Sequence, residues 1–230
     1  MESTALIKTL RQLEPSDIGS LMGISDKLAV LNHNRYAHWS AKFDDASGAR
    51  ASLLAFKGDV YLGLDAQTLS KRDFTWAQKR LRVLSGLYGL LRPLDRIHPY
   101  RLEMGTALRN TAGKDLYEFW GGKVTQALNE ALAGQRSKVL INLASNEYYK
   151  VVQAQNIDGR IVTINFKEWR RDAYRFVSFS AKKARGLMAR YMIDQRAERA
   201  DDLKAFDVEG YAFNEELSSR DEWIFTRHIA

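Results

Sequence analysis

The chain has 230 residues, 45% of them hydrophobic and 27% charged, an ordinary globular balance at a length that suits one large core or at most two small ones. It has no cysteine, which excludes disulfides, thiolate metal sites and thiol catalysis, and neither a bilayer-length apolar run nor a secretory leader, so a cytoplasmic protein is expected. The net charge of +7 belongs to one segment: residues 159–199 hold 11 Lys/Arg and 4 Asp/Glu, and the totals of 35 and 28 leave 24 of each sign elsewhere. A localised surplus of this kind faces an anionic partner, the alternative being a solvated basic surface.

Residues 6–22 carry apolar positions at helical spacing, with a break and restart at Pro15-Ser16. Ser25-Asp26 can cap a further helix running through "KLAVLNHNRYAHW". The junction Met22-Gly23-Ile24-Ser25 is similar to the hairpin of a helix-hairpin-helix element, which reads apolar–Pro–Gly–apolar–Gly with a small Ala further on. Gly23, Ile24 and Ala29 match that pattern, while Met22 and Ser25 replace Pro and Gly. Such a turn exposes backbone N–H groups that grip phosphate without reading sequence, and Lys27 and Arg35 add charge. An ordinary αα-hairpin is the alternative.

"ASLLAFKGDVYLGL" (51–64) has short apolar runs that suit a strand, and 73–91 reads as helical until Gly86. Residues 85–105 follow as irregular backbone marked by Gly86, Gly89, Gly105, Pro93 and Pro99, from which Arg92, Arg96 and Arg101 project toward a cleft. The Gly-x-x-Gly here follows a helix and lacks Gly-Lys-Ser/Thr, so it is not a nucleotide loop. A helix over 114–132 is interrupted near Gly121-Gly122, and "KVLINLAS" (138–145) reads as a buried strand with a helix after it. Ile161–Lys167 and Tyr174–Phe179 alternate about "WRRD" as a hairpin. The next helix, 178–192, puts Ala184, Leu187, Met188, Tyr191 and Met192 on a core stripe and leaves Lys182, Lys183, Arg185, Gly186 and Arg190 outside it. With Ser178 or Ser180 as N-cap, Lys182 and Lys183 fall in the first turn, where the helix dipole disfavours cations unless an anion sits beside them. Phosphate is the natural occupant; the alternative is two lysines reaching into water. "WIFTRHI" closes the chain as a strand. The expected architecture is one α/β domain over residues 1–230, a mixed sheet surrounded by helices.

Catalytic signals are few. His33, His38, His98 and His228 are scattered without a ligand motif, no metal or cofactor is expected, and no nucleophile elbow or dinucleotide fingerprint is present. Asp59, Glu103 and Glu147 are the carboxylates that could converge as acid–base groups.

The stretches "ISDKLA", "AFKGDVYLGL", "LSGLYGLLRPLDRIHPYRLEMG", "GKDLYEFWG", "INLASNEYYK", "SFSAKKARGLMARY" and "EGYAF" together resemble the YaaA family of peroxide-stress proteins, in family order over nearly the whole chain. The resemblance implies a cytosolic protein of the hydrogen peroxide response that limits unincorporated iron and protects DNA and protein. It also implies a helix-hairpin-helix and a basic DNA-binding cleft. Family members usually begin with a strand ending in Ser-Pro-Ala-Lys; this chain opens at "MESTALIKTLRQL", so that strand and its lysine are expected to be missing. The leading expectation is a monomeric, sequence-nonspecific DNA binder. Gly23, Ile24, Ser25 and Lys27 would hold phosphate at one end, Lys182, Lys183, Arg185 and Arg190 at the other, with Lys57, Arg92 and Arg101 between them. The rival is an enzyme acting on a nucleotide or another phosphorylated small molecule, with Asp59, Glu103 and Glu147 as its catalytic groups.

Overall fold

Helix α1 (Glu2–Leu10) buries Leu6, Ile7 and Leu10 in a computed structural model that describes residues 2–44 and 46–228. Pro15 then starts α2 (Pro15–Met22), which ends where Gly23 turns left-handed (φ 60°), and α3 (Asp26–His38) follows with Ser25 at its N-cap. The 51–64 segment departs from the expected strand. Beyond the two-residue β1 (Arg50–Ala51) it forms helices α4 (Ser52–Ala55) and α5 (Asp59–Leu64), separated by Gly58 at φ 125°. Its short apolar runs fit either structure, and burial of Leu53, Gly63 and Leu64 decides for helix.

Helix α6 (Lys71–Arg80) stops six residues before Gly86. Beyond it β2 (Val83–Ser85) pairs antiparallel with β3 (Gly89–Leu91), and β4 (Arg96–Ile97) pairs with β1. The helix expected up to Gly86 therefore gives way to a β-hairpin. Helices α7 (Leu116–Trp120) and α8 (Lys123–Ala133) are separated at Gly121-Gly122 as the sequence indicated. The rest of the chain forms β5 (Val139–Asn142), α9 (Asn146–Tyr149), β6 (Arg160–Arg170), β7 (Ala173–Arg175), α10 (Ser178–Asp194), β8 (Ala212–Phe213) and β9 (Glu222–His228), with short 3₁₀ turns among them.

The chain divides into two compact units. One comprises residues 1–55, 81–125 and 145–153; the other comprises 56–80, 126–144 and 154–230. In the first unit Arg11 reaches the carboxyl end of α3, donating from Nε to the Tyr36 carbonyl (2.8 Å) and from Nη2 to that of Trp39 (2.6 Å). A cation there satisfies carbonyls that a helix end leaves orphaned. Glycines shape the β2–β3 hairpin because Trp120 packs on it. The indole Nε1 donates to the Gly86 carbonyl (2.9 Å), and a methyl carbon at Gly89 (φ 71°) would lie 2.7 Å from the ring.

The second unit holds the mixed sheet, in the order β5-β6-β9-β8, with β5, β6 and β9 parallel, β8 antiparallel to β9, and β7 antiparallel to β6. Val162, Ile164 and Phe166 of β6 and Trp223 and Phe225 of β9 point to one face. There they form the core with Ala181, Ala184 and Met188 of α10. The opposite side of α10 is covered as well. Gly186 meets Gly63 of α5 so closely that a methyl carbon on Gly186 would lie 1.8 Å from the Val60 carbonyl oxygen. Arg185 and Gly186, expected outside the buried stripe, are both buried.

Candidate nucleic-acid interface

In the first unit the candidate residues gather around two structures. At the α2–α3 junction, Gly19 and Ala29 allow the helices to approach: a methyl carbon on Gly19 would lie 3.7 Å from the Ala29 Cβ. Gly23, Ser25, Asp26 and Lys27 are exposed, and Ile24 is half-buried. The Ser25 hydroxyl makes no cap bond, so among the described residues no side chain takes the first-turn amides of α3. Buried Tyr36 of α3 donates its hydroxyl hydrogen to the Arg101 carbonyl. Burial raises the Tyr36 pKa, so the phenol is a permanent donor.

Around Arg101 the polar groups are close-set. Its Nη2 pairs with Glu103 at 2.7 Å, while its Nε is buried without a partner among the described residues. Glu147 accepts from the Gly105 amide at 2.9 Å, and Tyr148, pushed up to about 12 by burial and then by the Glu147 and Glu103 charges, lies beside them. Glu103 and Glu147 are thus brought together, whereas Asp59, in the first turn of α5, belongs to the other unit. Arg92 is tied to Asp95 at 2.9 Å, so much of its charge is offset locally. Lys57 is exposed.

In the second unit the start of α10 differs from expectation. Val177 is the N-cap and the helix begins at Ser178, so Lys182 and Lys183 lie in the second turn, beyond the strongest part of the dipole. Lys183 pairs with Glu209, and Ser180 is a hydrogen-bond partner of the Glu168 carboxylate. Arg190 is held by Asp194 at 2.9 Å and by the Asp65 carbonyl at 3.1 Å. These two cations act within the fold.

Arg185 differs from both. It is 9% exposed, its Nε has no partner, and among the described residues no carboxylate pairs with it. Burial lowers its pKa with no neighbouring charge to offset that cost, so an anion brought to its guanidinium would relieve it.

The sequence reading passed over two groups. Glu168 sits in β6 at an inward position, 1% exposed, and accepts from Arg227 Nη2 at 2.7 Å and Arg170 Nη2 at 3.0 Å. Burial opposes its ionisation, but bonds from Ser180, Arg227 and Arg170 outweigh that and lower its pKa. Arg227 also reaches Glu209 at 3.3 Å and lies 4.4 Å over the Tyr211 ring. This network ties β6, β9 and the 208–210 turn to α10. A glutamate continuing the inward series Ile164, Phe166 was its signal.

The other group is the β6–β7 tip. Trp169 stacks on His228 (5.3 Å, 17°) and meets Tyr174 edge-on at 5.0 Å. Phe176, Phe179, Arg170, Arg171, Arg175 and Lys182 are exposed beside it in sequence. Aromatic residues interleaved with arginines in "WRRDAYRFVSF" were the signal here.

The family model described as peroxide stress protein YaaA matches residues 1–217. A UPF0246 protein of Ralstonia nicotianae is 57% identical over 228 residues, which cover 99% of this chain and 88% of that protein. A UPF0246 protein of Saccharophagus degradans is 52% identical over 226 residues, 98% of this chain and 88% of its own length. One from a Janthinobacterium species is 51% identical over 228 residues, with 99% and 88% covered.

Proposed function

The chain belongs to the peroxide stress protein YaaA family, and on that premise we propose that it protects DNA during peroxide stress by binding phosphates without reading sequence. The observation that carries the reading is the α2–α3 turn. Its left-handed Gly23 leads into a helix whose first amides are uncapped, with Ser25 and Lys27 exposed around them. Free N–H donors at a positive helix end, with a cation beside them, are what a phosphate-gripping helix-hairpin-helix needs, and they support the reading. Arg185, buried and unpaired, supports a further anion contact in the second unit, and the basic surplus of residues 159–199 supplies the long-range attraction. The protein acts as a monomer in the cytoplasm. Its effect on unincorporated iron is indirect, since a chain with no cysteine and four histidines offers few iron ligands.

Fluorescence anisotropy on duplex DNA over a salt series tests this. The log–log slope is expected to correspond to roughly four to seven phosphates at about 0.9 per contact, with little dependence on sequence. Gly23→Asp places a carboxylate against the free amides and lowers affinity about tenfold or more, whereas Gly23→Asn, which tolerates the same φ without charge, does not. A flat salt series, or equal behaviour of the two variants, refutes the reading.

One observation favours a second reading, an enzyme acting on a nucleotide or another phosphorylated small molecule: Arg101, Glu103, Glu147 and Tyr148 sit together. Turnover of a nucleotide that Glu147→Gln abolishes, with duplex affinity intact, would select it.

A further inference from the structure

We propose that the β6–β7 tip and the first two turns of α10 form a stacking platform for unpaired nucleic-acid bases. In this assignment Trp169, Phe176 and Phe179 receive bases, and Arg171, Arg175 and Lys182 hold the phosphates between them. The proposal deepens the DNA reading above and rests on it.

Three large apolar side chains lie exposed within eleven residues: Trp169 at 38%, Phe176 at 56% and Phe179 at 62%. Aromatic rings left in water forgo a large burial gain, so three exposed rings this close along the chain are ones that a partner would cover. Trp169 is set in place by its stack on His228 and its edge contact with Tyr174, whose hydroxyl meets His228 Nε2 at 3.0 Å. A ring fixed this way loses little freedom when a base stacks on it.

Charge identifies the occupant. Residues 169–182 carry four Lys/Arg and one acidic residue, Asp172. Arg170 is engaged with Glu168. Arg175 donates Nε to the Arg170 carbonyl, a bond that leaves its charge uncompensated, and Arg171 and Lys182 are exposed. The partner is therefore both aromatic-binding and anionic.

The backbone of the tip points the same way. Arg170 pairs with Ala173, so Arg171 and Asp172 alone make the turn, at φ 50° and 63°. A two-residue turn with both φ positive is the type that Asn-Gly or Gly-Gly adopts with least strain. Here an arginine occupies the first position at a conformational cost, which keeps a guanidinium at the outermost point of the hairpin. A duplex hides its base faces within the stack, whereas an unpaired strand offers them together with a phosphate at every step. Aromatic rings alternating with cations match the second.

The test uses the full chain with a fluorescein-labelled oligothymidylate strand and a duplex of equal length, compared by anisotropy. Three proteins are measured: the parent, Phe176→Ala with Phe179→Ala, and Phe176→Leu with Phe179→Leu. Circular dichroism checks that the exposed substitutions leave the fold unchanged. Both double variants are expected to bind the strand about tenfold or more weakly while duplex affinity stays within about twofold. Unchanged strand affinity in the alanine variant overturns the platform, as does an equal loss on strand and duplex. Retention of affinity by the leucine variant overturns it too, because simple apolar adhesion, as to a lipid surface or a protein, would then suffice. A parent that binds neither strand nor duplex refutes the DNA reading itself, whereas failure of the platform alone leaves duplex binding in place.

Discussion

Replacing Gly186 with alanine tests the closest approach in the second unit. A methyl carbon there would lie 1.8 Å from the Val60 carbonyl oxygen and 2.8 Å from the Leu64 amide nitrogen, both backbone atoms with no rotamer to escape into. Carbon and oxygen do not approach much below about 3.3 Å, so α5 and α10 must separate by roughly 1.5 Å. A gap of even 0.5–1 Å forfeits about a quarter to a half of the dispersion energy of the atoms along it. Overpacking costs about 1–3 kcal/mol, and a backbone clash on both sides belongs at or above the upper end. Alanine returns about 1 kcal/mol of helix propensity. The net loss is about 2–3 kcal/mol, which for a chain of this size lowers the melting temperature by about 4–12 °C in a circular dichroism scan. Gly63→Ala places its methyl carbon 2.2 Å from the Lys183 carbonyl oxygen and should cost a similar amount. One separation relieves both clashes, so the double variant should lose less than the sum of the two. If Gly186→Ala melts with or above the parent, the two helices do not meet glycine to glycine.

Glu168→Ala leaves the Arg227 guanidinium, whose side chain is 16% exposed, with only its longer contact to Glu209 and should cost about 1.5–3 kcal/mol by urea midpoint, more than an exposed ion pair would. Glu168 and Glu209 both ionise more readily in the folded state than the ordinary glutamate value of 4.5 allows, Glu209 chiefly through its Lys183 bond. Their stabilisation is therefore complete above pH 4.5 and lost as pH falls through the lower folded values, and Glu168→Gln should flatten the acid limb of a stability-against-pH curve. Lys183→Gln removes the partner of Glu209 and should lower stability by up to about 1 kcal/mol. Lys182→Gln should leave stability within about 0.5 kcal/mol and instead weaken DNA binding; equal melting of the two variants would contradict the ion pair.

Most of what could be read along the chain depended on neighbours a few residues apart. The core stripe of α10 (Ala184, Leu187, Met188), the Pro15 and Gly23 boundaries of α2, the Gly121-Gly122 break and a hairpin at "WRRD" are all written in local periodicity and backbone preference; the structure reproduces them, except that the hairpin's turn is Arg171-Asp172 alone and its second strand ends at Arg175, with Phe179 already in α10. So are the charge surplus and the motifs that led to the family. The β2–β3 hairpin was misread because Gly86 and Gly89 answer to Trp120, more than thirty residues on. Residues 51–64 looked like a strand because short apolar runs carry no decisive period, and α5 takes its form from what it packs against, Gly63 to Gly186. Arg185 beside it in the chain is buried too, where a helical wheel with a single apolar face leaves it in water. Lys183 finds Glu209 across 26 residues, and Glu168 finds Arg227 across 59, pairings that cost loop entropy and form only once the sheet and α10 bring the groups together. Local spacing specifies which segments become helix or hairpin; it carries no distance between remote segments, and so tertiary packing alone decided which cations are spent in ion pairs inside the fold and which, like Arg185, have no carboxylate partner among the described residues.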